Sequence, residues 1–371
     1  MSGDLMVNIR PVLSLVLSVS FFGVAMAGEP IGLVLAGGAA KGAYEVGVWQ
    51  AMVETGLADD VTAISGTSVG AINAALFASV GDTNRCVKLW EEEIGGIFQF
   101  NTNLVVNVLG EEGRTKVECA YSRMRRNVAE DMAYAASKRG CGVSELPQEI
   151  KDEIEERCES VARKRLFLEL PKMKTLVAML CDYDESRPME GFMPINRLYS
   201  LVLQKLPRSW RRECPAVYAT ALRKEQKQFS IVTFPIKNAG PEQRASMICA
   251  SACLPLLFGA YEINGATYID GGLEGRGGDN VPIRSILENQ PKIKTVIVVF
   301  LADSGNIRSE QLDRVLNIAK TSDVRLVKIM PSKNINGSFG MFGYMDDSKK
   351  TIRRLIDLGR KDARKALAEL E

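Results

Sequence analysis

The segment Gly66-Thr67-Ser68-Val69-Gly70 has the G-x-S-x-G pattern of a nucleophile elbow, a sharp turn that lifts a serine hydroxyl out of the end of a strand. Such a serine usually passes its proton to an imidazole. The chain has 371 residues and contains no histidine. If Ser68 is a nucleophile, its base must therefore be a carboxylate or an amine.

The sequence around Ser68 supplies the context that an elbow requires. Glycines on both sides avoid collisions with the neighbouring strand and helix, because the serine backbone is held in a strained conformation. Val61 to Ser65 predicts a strand before the turn, and Val69 to Ser79 predicts a buried helix after it. The N-terminal amides of that helix favour negative charge near the serine. The alternative is a tight turn with a packed serine.

A second glycine-rich turn, Gly37 to Gly42, follows the apolar run Ile31 to Ala36 and precedes a helical pattern. Backbone amides in such a turn can hold a phosphate or the oxyanion of a tetrahedral acyl intermediate. The turn lacks the patterns G-x-x-x-x-G-K-[ST] and G-x-G-x-x-G of nucleotide-binding loops. Together with an elbow serine, it predicts an oxyanion hole formed by Gly37, Gly38 and Ala39.

The candidate base is Asp270, in the triplet Asp270-Gly271-Gly272 after the strand-like run Ala266 to Ile269. A carboxylate at a strand end with two glycines behind it has little steric cover. Asp-Gly is also a common turn sequence, so the triplet alone favours an ordinary turn. Because the chain has neither histidine nor an S-x-x-K pattern, Asp270 is predicted to accept the Ser68 proton.

Strand and helix patterns alternate along the chain, which predicts an α/β fold with a mainly parallel sheet and sites at the carboxyl ends of its strands. Two further strands, Ala216 to Leu222 and Phe229 to Phe234, are predicted to flank a charged turn from Arg223 to Gln228. Another strand is predicted at Lys294 to Leu301, and a closing amphipathic helix at Ser348 to Leu370.

The sequence from about residue 100 to residue 190 is charged and amphipathic, and it predicts a helical insertion within one catalytic domain over residues 28–371. Its apolar residues recur at intervals of three and four. They form two stripes, one with Val117, Tyr121, Met124, Val128 and Met132, the other with Ile150, Ile154, Cys158 and Val161. Such stripes usually face a core, so the insertion is predicted to extend the core, with a mobile lid as the alternative.

The N-terminal segment has the layout of a secretory signal. Arg10 precedes an uncharged run from Val12 to Ala27, which ends in the A-x-A cleavage pattern Ala25-Met26-Ala27. The run is shorter than the ~20 apolar residues that a membrane-spanning helix needs. Residues 1–27 are therefore predicted to be a signal peptide, and the protein to be exported to the periplasm or secreted. The alternatives are an uncleaved anchor and a buried helix.

The composition, with 46% hydrophobic and 25% charged residues, indicates a folded globular protein, and a net charge of +2 does not indicate a nucleic-acid partner. The eight cysteines include no C-x-x-C pair, and without histidine a zinc site is not expected. An even number of cysteines in an exported chain fits disulfides, although buried thiols fit equally well. Cys249 and Cys253 lie in an apolar stretch and are interpreted as core residues.

The order of these motifs resembles the patatin-like phospholipase family, hydrolases that use a serine-aspartate dyad without histidine. The glycine-rich turn at residues 37–42, the elbow at 66–70 and the D-G-[GA] triplet at 270–272 match the motifs of the family. The segments Ala250 to Pro255 and Asn280 to Pro282 resemble the family's stretches before and after the aspartate.

The resemblance implies a three-layer α/β/α fold and hydrolysis of carboxylic esters of lipids at a membrane or micelle surface, without a cofactor or metal. It implies that Asp270 takes the Ser68 proton while amides of Gly37, Gly38 and Ala39 hold the oxyanion. Two other classes stay open. One is a scaffold or regulator that kept the fold but lost turnover, and the other is a nucleotide-binding α/β protein that uses the glycine-rich turn.

The sequence departs from the family pattern at two places. Ala39 stands where the family commonly has a third consecutive glycine, and Glu274 to Gly278 adds spacing after the aspartate triplet. Lys41 stands where the family has a basic residue. This lysine is expected either to attract an anionic headgroup or to tie the turn to a neighbour, or else to be a solvated surface residue.

Overall fold

The computed structural model describes residues 28–94, 102–158, 195–335 and 349–368, without residues 152, 156, 227, 256 and 257. The predicted signal peptide lies outside this part of the chain. The described strands are β1 (Ile31–Leu35), β2 (Val61–Thr67), β3 (Ala216–Glu225), β4 (Gln228–Pro235), β5 (Tyr261–Ile263), β6 (Ala266–Asp270), β7 (Thr295–Val299) and β8 (Arg325–Ile329). The described α-helices with continuous bounds are α1 (Ala43–Glu54), α2 (Val69–Val80), α3 (Thr83–Leu89), α4 (Thr102–Arg139), α5 (Asn196–Lys205), α6 (Pro241–Ala252), α7 (Ile283–Asn289), α8 (Ser309–Thr321) and α9 (Lys349–Leu367).

The strands form one eight-stranded sheet that is mainly parallel, as the alternating patterns predicted. β8, β7, β1, β2 and β3 lie side by side in that order and run parallel. β4 and β6 pair antiparallel with β3, and β5 pairs antiparallel with β6. All residues of β1 and β7 are buried, which is typical of strands covered by helices on both faces.

Alternate residues of β2 face different helical layers, so the fold has three layers. The hydroxyls of Ser65 and Thr67 donate to the carbonyls of Pro282 and Asp279, at the start of α7, at 2.9 and 2.7 Å. Gly66, on the opposite face, lies against the backbone of α2, where a side chain would collide with Gly70. This is the α/β/α arrangement that the family resemblance implied.

Strand β3 extends beyond the end of β2, and β6 pairs with this extension. Thr220 of β3 lies opposite Thr67 of β2, and the next residue, Ala221, lies opposite Asp270 of β6. The other edge of β3 is occupied by β4 from Tyr218 onwards. β2 and β6 must therefore follow one another along the same edge of β3, which brings the end of β6 to the end of β2.

The first and the last described helices pack closely against each other. A side chain at Gly47 of α1 would collide with the backbone of Ile356 in α9, and one at Gly359 of α9 would collide with Tyr44 in α1. The closing helix is thus confirmed, with Ile352, Leu355 and Leu367 buried in the main core. Among the described residues, none of the helices combines the length and the apolar character that crossing a membrane requires.

Two predicted features differ in the structure. The charged turn predicted at Arg223 to Gln228 is shorter, because β3 continues to Glu225 and β4 begins at Gln228. The described part of the insertion does not extend the main core. Ile154 and Cys158 are buried, but among the described residues they lie outside the cluster formed around the sheet. Arg157 and Cys158 instead contact Asp131 of α4.

The cysteines that the structure describes are free thiols, so the disulfide interpretation is not supported for them. Cys86, Cys158, Cys214, Cys249 and Cys253 are buried, Cys141 is half-buried and Cys119 is exposed. The interpretation of Cys249 and Cys253 as core residues is confirmed, since both belong to the main core.

Candidate active site

Ser68 occupies the turn between β2 and α2 in a strained conformation. Its φ of 56° and ψ of −122° place a non-glycine residue in a region that L-amino acids rarely adopt. The glycines of the elbow are required for the reason that the sequence suggested. A side chain at Gly66 would collide with the backbone of α2, and one at Gly70 would collide with the carbonyl of Leu35 in β1.

Asp270 is the last residue of β6, and its carboxylate lies beside Ser68. The Ser68 hydroxyl lies close enough to this carboxylate to stabilise its charged form, which lowers the pKa of the carboxyl. The Gly272 N–H donates a hydrogen bond to Asp270 Oδ1 at 2.8 Å. The structure therefore brings together the two side chains that the sequence proposed as nucleophile and base.

Burial gives Asp270 the properties of a stronger base than an ordinary aspartate. The side chain is almost completely buried, and removal from water raises the pKa of the carboxyl to about 6. The Ser68 hydroxyl and the Gly272 N–H oppose this rise in pKa, because they stabilise the charged form. A carboxylate with this pKa is still ionised at neutral pH, yet it binds a proton more readily than an exposed aspartate.

The glycine-rich turn lies beside this pair, but one of its predicted donors is already used. The N–H of Gly37 donates to the Asn280 carbonyl at 3.1 Å, so the prediction of Gly37 as an oxyanion donor is not supported in this geometry. The Asn280 side chain returns a hydrogen bond to the Gly37 carbonyl at 3.3 Å. Gly38 and Ala39 are left as the candidate donors.

Lys41 ties the glycine-rich turn to the end of β7. Its side chain is buried, and Nζ donates to the Leu301 carbonyl at 2.6 Å. Burial lowers the pKa of this lysine to about 7, and the nearby Asp303 carboxylate opposes that change. The expectation of a solvated surface lysine was therefore wrong, and the expectation that Lys41 holds the turn against a neighbour is confirmed.

Residues that sequence reasoning did not assign to the site also connect its loops. Asn280 Oδ1 occupies the space that a side chain at Gly37 or Gly272 would need, which explains why both positions are glycine. The Ser251 hydroxyl accepts a hydrogen bond from the Ser68 N–H at 3.0 Å. In the sequence, the segments around Ser251 and Asn280 resemble segments of the family. That resemblance did not predict which residues Ser251 and Asn280 contact.

The sequence profile of the patatin-like phospholipase family matches residues 33–287, which include the glycine-rich turn, Ser68 and Asp270. The chain belongs to the patatin-like phospholipase family. The match covers more than half of the sequence and agrees with the three-layer α/β/α fold.

Curated proteins of this family match shorter stretches. Lysophospholipase nte1 of Aspergillus terreus is 47% identical over 57 residues, which are 15% of this chain and 4% of that protein. Patatin-like phospholipase domain-containing protein 7 of Mus musculus is 43% identical over 70 residues, 18% of this chain and 5% of that protein. The matched stretches are thus small parts of much longer relatives.

Three solved structures can be superposed on this chain. Human GIVD cytosolic phospholipase A2 superposes with a TM-score of 0.46 at 9% identity, covering 92% of this chain and 59% of that chain. The type III effector protein ExoU gives 0.39 at 16% identity, covering 92% and 53%. VipD from Legionella pneumophila gives 0.35 at 17% identity, covering 89% and 67%.

In this patatin-like chain, the additional residues Glu274 to Gly278 after the aspartate triplet are held in place by contacts with α8. Glu274 lies in a short helical turn, and Arg314 of α8 bonds both Glu274, at 3.4 Å, and Asp279, at 2.8 Å. Burial raises the pKa of Asp279 to about 6, and the Arg314 charge opposes the rise. The Asp279 N–H also donates to the Gly271 carbonyl at 2.8 Å. The added residues therefore leave the loop after Asp270 firmly anchored.

The other departure, Ala39 in place of a third glycine, puts alanine at a position that favours glycine. Ala39 has a φ of 49°, in the left-handed region. The fold thus accommodates the methyl group at some conformational cost.

Replacing Ala39 by glycine should raise the free energy of unfolding by up to about 1 kcal/mol, because glycine adopts a positive φ without strain. The matched control is Ala40→Gly in the same turn, which should lower stability by about 0.5–1 kcal/mol, since Ala40 has no positive φ to relieve. Denaturant unfolding measures both changes. Equal losses for the two variants would contradict the strain at Ala39.

Proposed function

We propose that this protein is a lipid acyl hydrolase that uses Ser68 as nucleophile and Asp270 as general base. The observation that carries the proposal is the placement of the buried Asp270 carboxylate beside the Ser68 hydroxyl in a chain without histidine. The proposed substrates are carboxylic esters of phospholipids, lysophospholipids or neutral lipids at a membrane or micelle surface. Family membership and the lysophospholipase name of a relative support this substrate class.

The proposed reaction begins when Asp270 takes the Ser68 proton as Ser68 Oγ attacks the ester carbonyl carbon. The negative charge then forms on the carbonyl oxygen, where the N–H groups of Gly38 and Ala39 are the proposed donors. The N-terminus of α2, which begins at Val69, adds its dipole to the same end of the site. Collapse of this intermediate breaks the ester bond, and the proton on Asp270 passes to the leaving alcohol.

The second half of the proposed reaction releases the acyl group. Asp270, ionised again, takes a proton from a water molecule that attacks the acyl carbon, and the proton then returns to Ser68 Oγ as the fatty acid leaves. No step requires a group beyond Ser68, Asp270, backbone amides and water. Within the described part of the chain, no cluster of three or more Cys, Asp and Glu side chains is placed to hold a metal ion.

The N-terminal segment of the chain bears on where the protein is located. We propose that residues 1–27 direct export and are removed, on the basis of Arg10, the uncharged run after it and the Ala25-Met26-Ala27 pattern. The mature chain should then begin at Gly28, which intact-mass measurement of the protein from its native host would show. A mass that includes residues 1–27 would contradict cleavage.

Removing either member of the dyad should abolish covalent labelling by a fluorophosphonate and hydrolysis of a soluble ester. Ser68→Ala lacks the attacking oxygen, and Asp270→Asn lacks the group that takes its proton. The matched control is Ser65→Ala on the same strand, whose buried hydroxyl bonds to Pro282. Labelling and turnover should survive in the control. Undiminished labelling of Ser68→Ala would refute the nucleophile assignment, and a wild-type protein inert toward all ester chain lengths would favour the scaffold alternative.

The pH dependence should report the raised pKa of Asp270. The base must be ionised to accept the proton, so kcat/KM should fall about tenfold for each pH unit below the pKa of the free enzyme. The midpoint of this fall is expected at about pH 6, because burial raises the pKa of Asp270 to that value. A stopped assay on a neutral soluble ester between pH 4 and 8 measures this profile. A midpoint at about pH 4, the value for an ordinary aspartate, would contradict the raised pKa.

A further inference from the structure

Ser251 lies where the two strands that carry the proposed dyad meet β3. This residue belongs to the last turn of α6 and is fully buried. Its Oγ accepts a hydrogen bond from the Ser68 N–H at 3.0 Å and donates one to the Thr220 carbonyl at 2.6 Å. A serine hydroxyl has one donor and two acceptor positions, so it makes both bonds at once.

The backbone of the same turn contacts the aspartate. The Ser251 carbonyl accepts a hydrogen bond from the Gly271 N–H at 3.4 Å, and the Cys253 carbonyl accepts one from the Asp270 N–H at 3.0 Å. The end of α6 therefore bonds to the nucleophile turn through the Ser251 side chain and to the aspartate segment through its backbone.

The conformation of Ser68 needs support of this kind. A non-glycine residue with a φ of 56° is strained and persists only where its surroundings hold it. The Ser251 hydroxyl is a suitable support, because its own position is fixed by Thr220, the β3 residue that lies opposite Thr67. The same bond occupies the Ser68 N–H, so Gly38 and Ala39 remain the proposed oxyanion donors.

We propose that Ser251 is a positioning residue, whose hydroxyl holds the Ser68 backbone so that Ser68 Oγ points at the Asp270 carboxylate. The inference rests on the proposed function, since it assigns a role in the same reaction. Ser251 itself does not contact the reacting atoms. Its loss should therefore slow the attack by Ser68 and leave substrate binding largely unchanged.

The test compares Ser251→Ala and Ser251→Cys with a matched control, Ser285→Ala. Ser285 is also buried, and its hydroxyl approaches the Thr220 and Thr233 hydroxyls at 3.4 and 3.0 Å. For Ser251→Ala, the rate of fluorophosphonate labelling and kcat for a soluble ester should fall about 10- to 100-fold, with KM within about twofold. Ser251→Cys, which keeps the volume with a weaker hydrogen-bonding group, should lie in between. Ser285→Ala should label at the wild-type rate even with a lowered Tm.

Wild-type labelling rates in both Ser251 variants would overturn the proposal, and so would a rise in KM with kcat unchanged. If Ser251→Ala does not fold, Ser251→Cys alone decides by the same criteria. Failure of the hydrolase proposal is distinguishable, because wild-type protein would then not label at Ser68 at all. In that case crystal structures decide: a positive φ at Ser68 that is lost in the Ser251 variant supports the positioning role, and an unchanged φ overturns it.

Discussion

Strand β3 pairs with two partners along one edge, and this pairing sets the distance between Ser68 and Asp270. Thr67 and Asp270 lie opposite consecutive β3 residues, Thr220 and Ala221. Val217 to Leu222 of β3 are all buried, and a slip of one residue would exchange the side chains packed on the two faces of the sheet, so the register is strongly specified. The proximity of the two side chains is therefore a property of the sheet, while the loops around them only refine it.

Burial and hydrogen bonding act on Asp270 in opposite directions, and their balance suits a base that works without imidazole. Desolvation raises the pKa of the carboxyl, and the donors Ser68 and Gly272 limit the rise to about 6. The loops that surround the pair are held from several sides. Asn280 fixes the entry to the glycine-rich turn, and Lys41 fixes the turn to the end of β7. Such anchoring keeps the donors of a proposed oxyanion hole in place before the substrate arrives.

The sequence was sufficient for features that local patterns encode. Apolar runs located β1 and β7, a short strand pattern located β2, and the absence of histidine made Asp270 the predicted base, which the structure places beside Ser68. Contacts between distant segments have no such pattern: Ser68 and Ser251 are separated by 183 positions, and Gly37 and Asn280 by 243. The insertion shows a related limit: the apolar period of its second stripe predicts a covered face, but it does not reveal that the buried residues Ile154 and Cys158 lie outside the main core of the described chain.

A crystal structure of the protein after reaction with a fluorophosphonate would test the dyad in one step. The account predicts phosphorus bonded to Ser68 Oγ, the Asp270 carboxyl group beside that oxygen, and the phosphoryl oxygen facing the Gly38 and Ala39 amides. A phosphonate bound to another residue, or an Asp270 carboxylate turned away from Ser68 with another group in its place, would contradict the account.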